Sequence, residues 1–205
     1  KKDLCIHSEM FSYGVVELVE KGVITNTKKK THVGKFVANF LMGTKRLYDF
    51  VNNNPDVEMY PVDYVNNQVV VMKEDNIVSI NSCVQIDLMG QAASETIGYT
   101  QISGVGGQVD FVRGAAMAKN GRSILAFPST AAKGTVSKIV PLLDEGAAVT
   151  TSRNDVDYVI TEYGIAKLSG NTLKQRAHAL IEIAHPNFRD ELKKVYEERF
   201  HCSYE

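Results

Sequence analysis

Four short apolar runs, residues 123–127, 139–141, 147–150 and 158–161, constrain this chain more than any other feature of its sequence. They read as buried strands of a mostly parallel sheet, because such strands are apolar on both faces and alternate with helical segments. Helix-period segments follow at residues 172–184 and 188–200, separated by Pro186. Ahead of them, residues 57–65, 68–73 and 77–88 are rich in Val, Ile and Tyr, with Asn-Asn and Asp-Asn turn signals between them. These read as antiparallel strands. The expected fold class is therefore α/β, a layered and mostly parallel sheet with an antiparallel excursion.

A chain of 205 residues can bury a sizeable core, and one domain is expected. The 23 basic side chains nearly balance the 24 acidic ones, so no global charge draws the chain to nucleic acid or to an anionic membrane. Cys5, Cys83 and Cys202 are far apart, odd in number and free of any CxxC pair, which argues against a disulfide framework or a zinc site and fits a reducing cytoplasm. No run approaches the roughly 18 unbroken apolar residues of a membrane span. The first apolar run opens directly after Lys1-Lys2-Asp3, as expected for the trailing half of something longer.

"HSEMF", residues 7–11, sets Glu9 where the apolar run at residues 4–6 stops and a helix is expected to begin. Phe11, Val15, Leu18 and Val19 recur at helical spacing until Lys21-Gly22. A strand-to-helix corner is exposed between rigid flanks, which suits a reactive group. The run Lys28-Lys29-Lys30 reads as a solvated surface turn, residues 35–40 as a strand, and Leu47, Phe50 and Val51 as a short helix ended by "NNNP".

"QISGVGGQVDF", residues 101–111, packs Gly104, Gly106 and Gly107 ahead of a helical segment at 109–119. Glycines allow close backbone approach, and a helix N-terminus stabilises negative charge, so the loop suits a phosphate or an oxyanion. Taken alone, the plainer reading is a tight glycine turn, with Asp110 complementing the helix dipole. The spacing is neither a dinucleotide fingerprint nor a P-loop. In "FPSTAAKGTVSKIVP", residues 127–141, Ser129, Thr130 and Lys133 follow a strand and suit a phosphate-bearing ligand, although a solvated surface lysine explains Lys133 equally simply. His7 and His185 lack partners at metal-ligand spacing and read as structural; no serine elbow and no metal site is expected. "RNDVDYVITEYG", residues 153–164, reads as a polar connection and a buried strand.

Together these stretches resemble the C-terminal domain of the acetyl-CoA hydrolase/transferase family, nearest its 4-hydroxybutyrate and butyryl-CoA:acetate CoA-transferase branch. "HSEMFSYGVVELVEKG", "SGVGGQVDFVRGA", "STAAKGTVSKIVP", "VTTSRNDVDYVITEYGIAKLSG" and "RAHALIEIAHPNFRDEL" occur in that order and cover essentially the whole chain. The resemblance implies a CoA-transferase-like (NagB/RpiA-like) domain, with Glu9 as the catalytic carboxylate that becomes an acyl-glutamyl anhydride and then a glutamyl-CoA thioester. It implies that Ser103, Gly107 and Lys133 contact CoA; the glycine loop of Gly104, Gly106 and Gly107 is expected to serve CoA binding or the oxyanion. It also implies acyl-CoA and short-chain carboxylate substrates, no permanently bound cofactor, CoA as a substrate, and a homo-oligomer. The chain departs from the family pattern at Cys5 and Tyr13, where glycine and aspartate are expected. The family's N-terminal domain, with the glycine-rich CoA-binding segment that ordinarily precedes the glutamate, does not occur in these 205 residues, so the sequence resembles half an enzyme.

A carboxylate fits this chemistry. Its anhydride and its thioester are both activated and both reversible, and a glutamate of ordinary acidity needs no general base at neutral pH. A hydrolase, or a CoA-binding module without activity of its own, are the alternative readings of the same residues.

Overall fold

In the computed structural model, which describes residues 1–204, the chain divides into two compact units. The first comprises Lys1–Ile77 and Arg113–Gly121; the second comprises Val78–Val112 and the chain from Arg122 onward. Each unit closes around an apolar cluster of its own.

In the first unit, strand β1 (Met10–Ser12) leads into helix α1 (Tyr13–Glu20), followed by β2 (Phe36–Ala38), β3 (Phe40–Met42), α2 (Lys45–Val51), β4 (Val57–Met59), α3 (Val62–Val65) and α4 (Gln68–Val71). β1 pairs in parallel with β3, and β2 in parallel with β4. The buried residues Phe11, Val16, Ile24, Phe36, Ala38 and Leu47 form the core. Phe11, Phe36 and Phe50 interlock within it at centroid separations of 5.5 to 6.1 Å, a spacing at which aromatic edges and faces attract. α1 ends where Gly22 takes φ +66°, its N–H meeting the Val19 carbonyl while the Val23 N–H meets that of Leu18.

The second unit carries β5 (Val78–Asn81), β6 (Gln85–Asp87), β7 (Ala92–Ala93), β8 (Thr96–Ile97), β9 (Thr100–Gln101) and the start of α5 (Gln108–Met117). It continues with β10 (Arg122–Ala126), β11 (Thr130–Ala131), β12 (Val136–Ser137), β13 (Ile139–Val140), β14 (Tyr158–Thr161), β15 (Gly164–Lys167), α6 (Leu173–Glu182) and α7 (Pro186–Phe200). The main sheet has strand order β15-β14-β10-β5; β14·β10 and β10·β5 pair in parallel, and β15 adds antiparallel to β14. A smaller sheet joins β13 to β6 in parallel and β6 to β7 antiparallel. Leu125, Val159, Ala166, Ala177, Leu180 and Ile181 are among the side chains the sheet and helices bury. α6 opens on a reciprocal cap between Thr172 and Gln175, and α7 opens with Pro186 in its first turn, where its missing N–H costs nothing.

The mixed α/β architecture with mainly parallel pairing agrees with the sequence reading, but three local expectations are corrected. The Val-rich residues 62–65 and 68–71 are helical, with Pro61 and Asn67 as N-caps, and the Asn67 side chain accepts from the Val69 N–H at 2.9 Å. At 68–71 the Asn67 cap opposes the β preference of valine; Pro61 starts 62–65 without a side-chain cap bond. The segment 57–59 is a strand, but it pairs in parallel, as does β5 within 77–88; of the stretches expected to be antiparallel only β6 pairs so, with β7, and the other antiparallel pairs are β8·β9, β11·β12 and β14·β15. Residues 147–150 form no strand; their end hooks onto Ala92 through a single bridge at Thr151.

Candidate active site

The segment leading to Glu9 is held on both sides without being a regular strand. Leu4 bridges Ile24 and His7 bridges Val37, both in parallel, and the Ser8 N–H donates to the Val37 carbonyl at 3.0 Å. The Ile6 N–H donates to Asn26 Oδ1 at 2.8 Å, and the Ile6 carbonyl accepts from the Lys29 ammonium at 3.0 Å. The Glu9 carbonyl takes N–H groups from Asn39 and Phe40 at 3.1 and 3.2 Å. Glu9 thus occupies a bend just before β1, and the helix opens only at Tyr13, four residues beyond the expected corner. Phe11 is a buried strand residue, and Val16 is the fully buried position of α1 where Leu18 was expected to share the core face.

The Glu9 carboxylate is half-buried, and its Oε2 accepts from Asn66 Nδ2 at 3.3 Å. Asn66 is buried and its Oδ1 accepts from Asn39 Nδ2 at 3.4 Å, so two carboxamides form a relay behind the carboxylate. His7 contributes one step back along the same segment. Its Nε2 lies 2.8 Å from the Val65 carbonyl, which only accepts, so that nitrogen carries the proton. His7 therefore ties down the residue next to Asn66. Burial holds its pKa below the usual histidine value, with Lys29 and His32 adding to the effect and the Val65 bond and Glu74 opposing it.

The lysine run supports this mount and is only partly a solvated turn. Lys28 and Lys30 are exposed and pair with Asp3 and Asp75 at 3.3 Å each. Lys29 is buried, and its ammonium donates to the carbonyls of Ile6 and Lys35. Beside it, buried Glu74 accepts from the Lys30 and Thr31 N–H groups and from the Thr31 hydroxyl. Burial alone would raise the Glu74 pKa; those donors and Lys29 bring it below the ordinary value.

In the second unit the glycine loop precedes α5 as expected. Ser103, Gly104 and Gly106 are exposed and Gly107 is buried. A Cβ at Gly104 would meet no atom within 4 Å. The loop is anchored at both ends: the Ile102 and Ser103 N–H groups donate to the Glu95 carbonyl at 2.8 and 3.3 Å, and Gln108 Nε2 donates to Thr151 Oγ1 at 2.8 Å. The Gly107 carbonyl accepts the Phe111 N–H at 3.0 Å, the first helical bond of α5.

Lys133 stands at the exposed tip of the β11–β12 hairpin, in the short turn Ala132–Gly134. Ala132, Lys133 and Gly134 take φ of 47°, 57° and 89°, so two residues with side chains hold the left-handed region in succession. Such strain persists only where the surroundings enforce it, and it concentrates at ligand contacts. The base of the hairpin does the enforcing. Ser129, expected to meet a ligand, is instead fully buried: its N–H and hydroxyl grip the two oxygens of Glu162 at 2.8 and 2.6 Å. Its carbonyl accepts the Lys138 N–H at 2.9 Å. Burial would raise the Glu162 pKa, yet the Ser129 bonds hold it below the ordinary carboxylate value.

Residues 43–196 match the family model described as the acetyl-CoA hydrolase/transferase C-terminal domain. The chain belongs to that family. It is 68% identical over 200 residues to a 4-hydroxybutyrate coenzyme A transferase of Clostridium kluyveri, covering 98% of this chain and 47% of the relative. The crystal structure of RipA from Yersinia pestis superimposes with a TM-score of 0.92 at 47% identity over 98% of this chain and 45% of that one. A 4-hydroxybutyrate CoA-transferase structure from Porphyromonas gingivalis gives 0.84 at 54% identity, over 97% and 46%. The chain thus spans about half the length of the relatives it matches. Glu9 lies ahead of the residues the family model matches, whereas the glycine loop and Lys133 lie within them.

Of the residues around Glu9, the sequence reading missed Asn39, Asn66, Lys29 and Glu74. Asn66 sits in an Asn-Asn pair that reads as a turn, and nothing local ties it to a carboxylate 57 positions earlier.

Proposed function

We propose that this chain is the nucleophile-bearing part of an acyl-CoA:carboxylate CoA-transferase of the 4-hydroxybutyrate, butyrate and acetate type. A Glu9 oxygen attacks the thioester carbonyl of an acyl-CoA and CoA thiolate leaves, giving the acyl-glutamyl anhydride. The thiolate then attacks the glutamyl carbonyl, releasing the first carboxylate and leaving a glutamyl-CoA thioester. A second carboxylate and the thiolate complete the reverse sequence on the new acyl group. The observation that supports this most is the mount of Glu9, a half-buried carboxylate braced at Oε2 by a buried carboxamide, in a chain of this family. No histidine base is needed, since the nucleophile is a carboxylate.

In this reading Ser103, Gly104, Gly106, Gly107 and Lys133 serve CoA binding or the oxyanion, the latter through the Gly106 and Gly107 N–H groups. The open space over Gly104 lets a ligand backbone approach, and the strained turn at Lys133 presents a fixed cation. CoA is a substrate and an intermediate, with no cofactor held between turnovers. CoA binding remote from the reacting carbon lowers the barrier as well as the Michaelis constant, so loss of Lys133 reduces kcat together with affinity.

Turnover by the full-length protein tests the proposal. Glu9→Gln preserves shape and abolishes transfer with the fold intact, and CoA exchange from butyryl-CoA depends on added acetate. Equal CoA release with and without acetate identifies a hydrolase and contradicts the transferase reading.

A further inference from the structure

A second built feature lies in the second unit, around the turn at Met89. Fully buried Asp87 shapes this turn: Oδ1 accepts the N–H groups of Met89 and Gln91 at 2.9 Å each, and Oδ2 accepts from the Gln91 carboxamide at 2.7 Å. The negative charge beneath the turn is therefore directed inward. Gly90 closes the turn at φ +92°, where a Cβ would sit 3.0 Å from the buried Leu168 side chain, so the turn accepts no larger residue easily.

Two guanidinium groups converge on the sulfur this turn presents. Arg153 Nη1 lies 3.8 Å and Arg199 Nη2 2.9 Å from Met89 Sδ. A thioether is a weak acceptor, and both Arg153 and Arg199 are exposed. A third arginine fixes the arrangement. Arg176 donates from Nε to the Asn171 carbonyl at 3.2 Å and from Nη1 to the Arg153 carbonyl at 2.5 Å, so it holds the backbone that carries Arg153. Burial and the charge of Arg153 both lower the Arg176 pKa, as proximity of like charges requires. None of the ion pairs among the described residues involves Arg153, Arg176 or Arg199. Asp155, the acidic residue nearest Arg153 in sequence, accepts the Ser152 hydroxyl at 3.0 Å.

Three clustered cations in a chain of formal charge −1 repel one another, and a multiply charged oxyanion removes that repulsion. Forked guanidinium donors match the oxygens of phosphate in pairs, and do so better than the point charge of lysine. We propose that Arg153 and Arg199, braced by Arg176 over the Met89 turn, form a binding site for a phosphate group. The phosphate is either free or carried on a nucleotide. The inference stands independently of the chemistry at Glu9.

Calorimetric titration of the full-length protein at low ionic strength, with inorganic phosphate and with adenosine 3′,5′-bisphosphate, tests the site. Saturable binding is expected, weakened about tenfold or more by Arg153→Gln or Arg199→Gln and further by both together. Met89→Leu, which removes the sulfur and keeps the cations, retains binding, as does Glu9→Gln. Tighter binding of the bisphosphate identifies a nucleotide phosphate, and equal or tighter binding of inorganic phosphate identifies the free ion. Absence of binding by either probe, or affinity unchanged in the correctly folded double variant, overturns the proposal.

Discussion

At the scale of single residues, the reactivity proposed for Glu9 depends on how its carboxylate is held. Asn66 donates to one oxygen and Asn39 donates to Asn66, so the carboxylate is held in a narrow range of directions. Asn66→Ala is expected to lower kcat by about 10- to 100-fold, the equivalent of one hydrogen bond to a charged group, while thermal unfolding shifts little. Full activity in that variant would remove the relay from the mechanism. His7 adds a pH signature. Its folded pKa is depressed below the unfolded value of 6.5, so in the window between the two the unfolded chain binds the extra proton. The contribution of His7 is complete above pH 6.5 and is lost as pH falls through that window. Denaturant unfolding across this range should show stability declining on acidification, and His7→Gln, which keeps a donor for Val65 without titrating, should flatten the profile. None of these partners was legible in the sequence. Glu9 itself was, as a carboxylate just after an apolar run and through the family resemblance, although β1 intervenes before the helix; a carboxamide arriving from far along the chain gives no local signal.

At the scale of elements, packing decides where local preference does not. The last turns of α5 place Gly114 against α4, where a Cβ would sit 2.6 Å from the buried side chain of Val71. Gly114→Ala therefore overpacks the first unit and is expected to destabilise it by about 1 to 3 kcal/mol, despite the better helix propensity of alanine, as read by the denaturation midpoint. A neutral or stabilising result would mean that α4 yields. The Lys133 hairpin is governed from its base. Glu162→Gln weakens the grip on Ser129 and should speed amide exchange at Lys138, whose N–H closes the hairpin onto the Ser129 carbonyl. The long helices and the strands β10 and β14 were readable because period and burial agree along several residues. Residues 62–71 were not: their valines favour strands when considered singly, and the Asn67 cap with the packing of α3 against α4 reversed that preference. Residues 147–150 look like a strand, but nothing pairs with them beyond the one bridge.

At the scale of the whole molecule, the chain holds two units with separate cores, and Glu9 and the glycine loop fall in different ones. Sequence pattern reports which residues are apolar; it does not report which apolar residues share a core, so the two clusters are not legible in the sequence. The chain also spans about half of its relatives, and the proposed turnover belongs to the full-length protein. Initial rates there should follow a double-displacement law, giving parallel double-reciprocal lines when acyl-CoA and carboxylate are varied, whereas intersecting lines would indicate direct transfer without a covalent intermediate. The most direct measurement is borohydride reduction of the full-length protein incubated with acyl-CoA, followed by peptide mass spectrometry. Reduction of a glutamyl-CoA thioester converts the Glu9 side chain to a primary alcohol, and that product is the expected result. An active enzyme reduced at another residue, or at none, would contradict the assignment of Glu9 as the nucleophile.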